Sequence, residues 1–233
     1  MPGSDSTVIR NAHLVDGTGA PARAADIAFE NGRITEVGAA GTLGTAHVDR
    51  VIDADGRLVT PGWVDVHTHY DAQATWDPWM TPSSWHGVTT VVMGNCGVGF
   101  APAAPDRHDW LIALMEGVED IPGSAMTEGI TWGWESFEEY LDVLESTPHV
   151  IDFATQIPHG ALRAYVMGER GAANESATAD DITAMSRMVE SAMRAGALGF
   201  STSRTPLHRS RDGELVPGTH ADENELLGIA DAL

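Results

Sequence analysis

A chain of 233 residues can hold one large domain, or a small domain joined to part of a larger one, and this length excludes a miniature stapled scaffold. Apolar residues make up 42% and charged residues only 20%, so the chain can bury a sizeable core and lacks the profile of a disordered one. Lys+Arg 13 against Asp+Glu 34 gives a formal net charge of -21, which argues against nucleic acid or an anionic membrane as partner, because both demand clustered positive charge.

Residues 1–20 hold no apolar run behind a basic start, and no stretch approaches ~18 uninterrupted apolar residues. The expectation is a soluble, cytoplasmic protein without a secretory signal or a membrane span. The first sixty residues read as short strands: Thr7 to Arg10, Ala25 to Phe29, Arg33 to Val37 and Val51 to Asp53. Asp16-Gly17, Asn31-Gly32 and Asp55-Gly56 stand between them, and such dipeptides are hairpin signals because both residues tolerate positive φ. Residues 1–60 are therefore expected to form a small antiparallel β unit.

After Pro61-Gly62 the pattern changes to buried strands alternating with helices. Strands are expected at Trp63 to Val66, Val88 to Met93, Val150 to Thr155 and Ala197 to Ser201, and helices at Asp109 to Glu119, Ser136 to Glu145, Ala179 to Arg194 and Ala221 to Leu233. Ser136 with Glu139, and Thr178 with Asp181, have the spacing of a helix-capping box. Strands alternating with helices imply an α/β fold with a parallel sheet. A complete eight-stranded (β/α) barrel takes ~250 residues, and residues 61–233 hold four of its strands, Gly97 to Thr147 being a long connection, so about the first half of a barrel is expected.

His67 and His69 lie two apart at the C-terminal end of the first of these strands, where alternation puts both imidazoles on one side and Thr68 on the other. That rim is where parallel barrels carry their chemistry. Cys96, the one cysteine, follows the next strand within Gly94-Asn95-Cys96-Gly97. A lone cysteine excludes an internal disulfide; its thiolate is a zinc ligand, and alternatively it packs as a small hydrophobe. The 13 basic residues are all arginines, so no lysine is present to act as base, Schiff-base residue or carboxylated metal bridge.

Four segments, PGWVDVHTHYDAQ (61–73), HGVTTVVMGNCGVGFAP (86–102), PHGALRAYVMG (158–168) and AGALGFSTSRT (195–205), resemble the N-acyl-D-amino-acid deacylases, or D-aminoacylases, of the amidohydrolase superfamily. The resemblance implies a metal-bearing TIM-type (β/α) barrel with a small β-sandwich beside it: residues 1–60 as the N-terminal sandwich part, residues 61–233 as the N-terminal half of the barrel. It implies one or two zinc ions, with His67, His69 and Cys96 as ligands and the cysteine in the place of the bridging lysine. The catalytic Asp and further histidines of that family come from later strands, expected beyond Leu233. The implied reaction is hydrolysis of the amide of an N-acyl-D-amino acid, a small-molecule substrate. The alternatives are a cyclic amidohydrolase of the dihydropyrimidinase or dihydroorotase kind, and an inactive half-barrel lacking the catalytic Asp.

Other residues carry weaker signals. Arg204 follows the fourth strand at the same rim and has the chemistry to bind a substrate carboxylate or to pair with one of the many acids. His159 follows the third strand and reads either as a pocket residue or as a structural hydrogen-bonding group. His220 sits where Thr219 and Asp222 have the spacing of a helix cap, which explains it without a metal. Trp76, Trp79 and Trp85 follow the histidine pair and are candidates for an apolar acyl pocket or for core packing.

Overall fold

Asn31 and Gly32 adopt φ of 51° and 75°, the two positive values of the turn that this residue pair favours. They join the antiparallel strands β2 (Arg23–Glu30) and β3 (Arg33–Ala39), and β2 also pairs antiparallel with β1 (Ser6–Leu14). Asp55 and Gly56 take the same two positive φ values, 51° and 73°, yet they do not close a hairpin. The flanking β4 (Arg50–Asp53) and β5 (Leu58–Val59) both run parallel to β1 along its other edge. The unit is thus a mixed five-stranded sheet rather than an antiparallel one. The reason lies in β1: a bulge between Ile9 and Ala12 lets the Asp55-Gly56 turn follow that strand, with Ala54 and Gly56 donating to Arg10 and Asn11. The structure, a computed structural model, describes residues 5–233. It divides into two units, Met1–Gly62 and Trp63–Leu233.

In the second unit, β6 (Trp63–Asp65), β7 (Val88–Met93) and β8 (Asp152–Thr155) form a parallel sheet in the order β6-β7-β8. Between β7 and β8 stand the helices α1 (His108–Glu119), α2 (Gly123–Gly129) and α3 (Phe137–Ser146). A further strand, β9 (Ile157–Pro158), leads into α4 (His159–Met167), α5 (Glu169–Ala172) and α6 (Ala179–Ala195). It then pairs in parallel with β10 (Phe200–Ser201), and α7 (Glu223–Ala230) follows. The helix expected from Ala221 to Leu233 is shorter than the sequence suggests, because Asp222 is its N-cap and accepts from Glu225 N–H. Thr219, the expected cap, donates instead to the Val216 carbonyl.

The core of this unit follows the helical period. Met185, Val189 and Ala192 of α6 and Phe137, Tyr140 and Leu144 of α3 are buried at spacings of three and four residues. The central strand β7 buries Val91, Val92 and Met93 in succession, as a strand covered on both faces does. No helix among the described residues is long and apolar enough to cross a membrane.

Both expected capping boxes form: the Ser136 and Thr178 side chains accept from the N–H three residues on, and Glu139 and Asp181 reach back. Replacing Thr178 with Ala leaves the Asp181 N–H in the first turn of α6 without its cap and is expected to cost about 1 kcal/mol. The urea midpoint checks this. An unchanged midpoint would show that α6 is held by packing alone.

Candidate metal centre

The histidine pair lies just past the strand. β6 ends at Asp65, and residues 66–69 form an irregular segment, so strand alternation does not by itself orient the imidazoles. Their orientation comes from Thr68, which is buried and gives both its N–H and its hydroxyl to the Val92 carbonyl, at 3.0 and 2.8 Å. With Thr68 fixed against β7, the side chains on either side of it turn outward together: the ring centroids of His67 and His69 are 5.4 Å apart.

Cys96 is brought to them by a turn that few sequences permit. Gly94, Cys96 and Gly97 all have positive φ, at 71°, 55° and 69°. A Cβ on Gly94 would lie 2.0 Å from the Gln156 carbonyl oxygen, so only glycine fits. Asn95 fastens the turn, its Nδ2 donating to the carbonyls of Thr68 and Val92 at 3.2 and 2.9 Å while its Oδ1 accepts from Gln156 at 2.9 Å. Asp71 Oδ1 accepts from Gly94 N–H at 2.8 Å, and Ser201 Oγ accepts from Gly97 N–H at 3.0 Å.

These restraints place one donor atom from each of His67, His69 and Cys96 within 4.8 Å of one another. His67 Nε2 and Cys96 Sγ are 3.0 Å apart. Burial holds His69 neutral, lowering its pKa to about 4, with the neighbouring His67 and His208 adding to the effect. Burial also pushes the Cys96 thiol up, helped by the Glu119 carboxylate. Asp71 is buried and raised to about 7, chiefly by loss of water, and its Oδ2 has no partner. Imidazoles and a thiol that ionises against a cation are donors suited to a soft divalent metal. His69 Nδ1 is also buried without a partner.

A cavity of about 260 Å³ lies beside the cluster, lined by His69, Tyr70, Gln73, Pro82, Glu119 and Ile121. No tryptophan lines it, and Trp79 and Trp85 are exposed by 63% and 76%, so these rings build neither an acyl pocket nor a core. His149, in the loop before β8, gives its ring to the Ala74 carbonyl.

His159 is fully buried, with Nδ1 2.8 Å from Thr202 Oγ1 and Nε2 2.8 Å from Glu225 Oε1. Both ring nitrogens are engaged, and Arg163 joins the same Glu225, so the group ties α4 to α7 and has no atom left for a substrate. Arg204 is exposed and donates to the Ala221 carbonyl at 2.6 Å; it has no carboxylate within ion-pair distance among the described residues. His220 is exposed in the turn before α7, away from the cluster's three donors. Glu119, the last residue of α1, was not singled out by any motif, yet its Oε1 lies 3.2 Å from His69 Nε2.

Comparison with known proteins gives this cluster a context. The amidohydrolase family model matches residues 50–233. The chain is 36% identical over 205 residues to the D-aminoacylase of Alcaligenes xylosoxydans xylosoxydans, a match that covers 87% of this chain and 39% of that protein. A D-aminoacylase solved to define the functional role of its binuclear metal centre superposes with a TM-score of 0.77 at 32% identity, over 99% of this chain and 43% of its own. The N-acyl-D-glutamate deacylase of Bordetella bronchiseptica, solved with zinc and a phosphonate that mimics the tetrahedral intermediate, superposes with a TM-score of 0.71 at 32% identity, over 97% of this chain and 42% of its own. The chain thus spans 39% to 43% of the length of these relatives. On the family match and these likenesses together, the chain belongs to the amidohydrolase family and has its α/β fold.

Proposed function

We propose that this chain carries the metal-ligating part of a zinc-dependent N-acyl-D-amino-acid deacylase, which splits the amide into a carboxylate and a D-amino acid. The observation that carries the reading is the convergence of His67, His69 and Cys96 in a chain that has no lysine to bridge a metal. The relatives named D-aminoacylase and N-acyl-D-glutamate deacylase support the substrate class. In the same reading, residues 61–233 are the opening half of a (β/α)8 barrel, and residues 1–60 belong to a small β-sandwich. The parallel pairing of β6-β7-β8 and of β9-β10 supports the barrel, and the placing of the cluster just beyond β6 and β7 fits the catalytic rim of such a barrel.

The donor set fits zinc: two imidazoles and one thiol are ligands of the kind tetrahedral zinc sites use, and the unpartnered His69 Nδ1 is a buried polar atom without a protein explanation. The relative solved with zinc supports zinc as the metal, and the relative with a binuclear centre, described by one-metal activation and second-metal attenuation, supports one or two ions. When bound, zinc supplies Lewis acidity, which polarises the scissile carbonyl and acidifies the attacking water. The chain's own part is to hold its donors in place before the metal arrives. Asn95 and Thr68 fix the two backbone segments to each other, the glycines allow Cys96 its positive φ, and Cys96 gives up its thiol proton on binding. The cavity beside His69 offers Tyr70, Pro82 and Ile121 as apolar surface for an acyl group. Arg204 and His159 are held by the fold's own groups and have no part in this reading.

Three experiments test the reading. Zinc titration of the protein and its Cys96→Ala variant should show binding weakened by at least the roughly 10–100-fold that even outer-sphere changes cost. Equal affinity would remove the cysteine from the site. With the later strands of the barrel supplied, assays on N-acetyl-D-amino acids and on hydantoins should show turnover of the linear substrates alone, lost with a chelator. Turnover of the cyclic substrates alone would favour the cyclic amidohydrolase instead. Asn95→Ala removes three hydrogen bonds from the turn and is expected to cost on the order of 2 kcal/mol by urea denaturation, with weaker zinc binding alongside. Native zinc affinity in that variant would show that the turn is not what positions Cys96.

A further inference from the structure

We propose that Ser201, on β10, is the positioning residue for Cys96, its hydroxyl clasping both ends of the turn that presents the sulfur to the two histidines. The inference rests on the metal reading above and adds to it a residue that acts through the backbone of the turn rather than on the ligand atoms.

The first observation is a pair of hydrogen bonds made by one oxygen. Ser201 Oγ donates to the Gly94 carbonyl and accepts from Gly97 N–H at 3.0 Å, and these two glycines bracket Asn95 and Cys96. A hydroxyl is suited to this task, because the same atom both donates and accepts. Asn95 fastens the turn toward Thr68, Val92 and Gln156, but its bonds stop short of the cysteine. Among the described residues, Ser201 makes the one side-chain hydrogen bond to Gly97, on the C-terminal flank of Cys96.

The second observation is the conformation being held. Cys96 has a φ of 55° and carries a Cβ, so this left-handed backbone is unfavourable by itself. Such a residue keeps its conformation only where the surrounding structure fixes it. Before a metal binds, the turn needs a restraint on each side of the cysteine, and the Ser201 hydroxyl supplies the one that Asn95 does not. Release of the clasp lets Cys96 return to negative φ, which carries the sulfur away from its place 3.0 Å from His67 Nε2.

The third observation is how firmly Ser201 itself is placed. β10 pairs in parallel with β9, with Ser201 opposite Pro158. The next residue, Thr202, has its Oγ1 2.8 Å from Nδ1 of the buried His159, whose other ring nitrogen meets Glu225. Residues 202 and 203 also lie against the turn, since a Cβ on Gly97 would stand 3.0 Å from Ser203 N and 3.2 Å from Thr202 Cα. The anchored end of β10 thus reaches the backbone on either side of Cys96.

Zinc titration in competition with a chromophoric chelator tests the proposal on the native protein and on Ser201→Ala, Ser201→Thr, Thr178→Ala and Cys96→Ala. S201A removes the clasp, S201T keeps its oxygen, and T178A loosens the cap of α6 without touching the turn. The expected result is zinc binding weakened roughly 10–100-fold in S201A, as changes outside the ligand set do at metal sites, with native affinity in S201T and T178A. With cobalt in place of zinc, the sulfur-to-metal charge-transfer absorption should be native in S201T, diminished per bound ion in S201A and absent in C96A. Native affinity and absorption in S201A, with both lost in C96A, would overturn the role of Ser201 and leave the metal reading standing. Equal losses in S201A and S201T would show that the oxygen is not what matters, and an equal loss in T178A would assign the effect to general loosening; either result overturns the proposal. Absence of zinc binding in the native protein, or native binding in C96A, would overturn the metal reading and the proposal together.

Discussion

The geometry of the site depends on one carboxamide. Asn95 bonds at once to the segment that carries the histidines, to the strand before its own turn and to Gln156 beyond β8. Without those bonds three pieces of chain, far apart in sequence, would have no common reference. Thr68 adds the second fastening, spending its N–H and its hydroxyl on the one Val92 carbonyl that Asn95 also uses. That carbonyl is thus the point from which both halves of the cluster are measured. The glycines at 94 and 97 follow from it, since a turn this tight beside Gln156 and Ser203 leaves no room for a Cβ.

The chemistry of the corner follows from its burial. Loss of water holds His69 neutral and keeps the thiol of Cys96 protonated, so these two donors are uncharged until a cation arrives. The nearby acids, Glu119 and Asp71, are pushed up for the same reason. A protein gains nothing from gathering such groups for its own stability, and a bound divalent ion reverses the sign of most of these costs. His159 and Arg163 make the contrast: they are buried as deeply, but Glu225 answers both, and the result is a closed structural knot between α4 and α7.

The parts legible in the sequence were those that local chemistry decides. The Asn31-Gly32 turn, the two capping boxes and the period of α6 each depend on residues a few positions apart, and each forms as read. Asp55-Gly56 shows the limit, because it makes its turn, but which edge the next strand joins was settled by the bulge in β1. The helix α4 escaped notice because nearly all its residues are buried, so it has no polar face to reveal a period. At the site, His67, His69 and Cys96 stood out because each sits in a short distinctive run. Glu119 did not, since its meeting with His69 spans fifty positions and is created only by the tertiary fold.

The central claim is that sulfur and imidazole share one ion in this corner, and X-ray absorption at the zinc edge measures that most directly. The account predicts a sulfur scatterer at about 2.3 Å together with imidazole nitrogens at about 2.0 Å. A first shell of nitrogen and oxygen alone, with no sulfur, would contradict it.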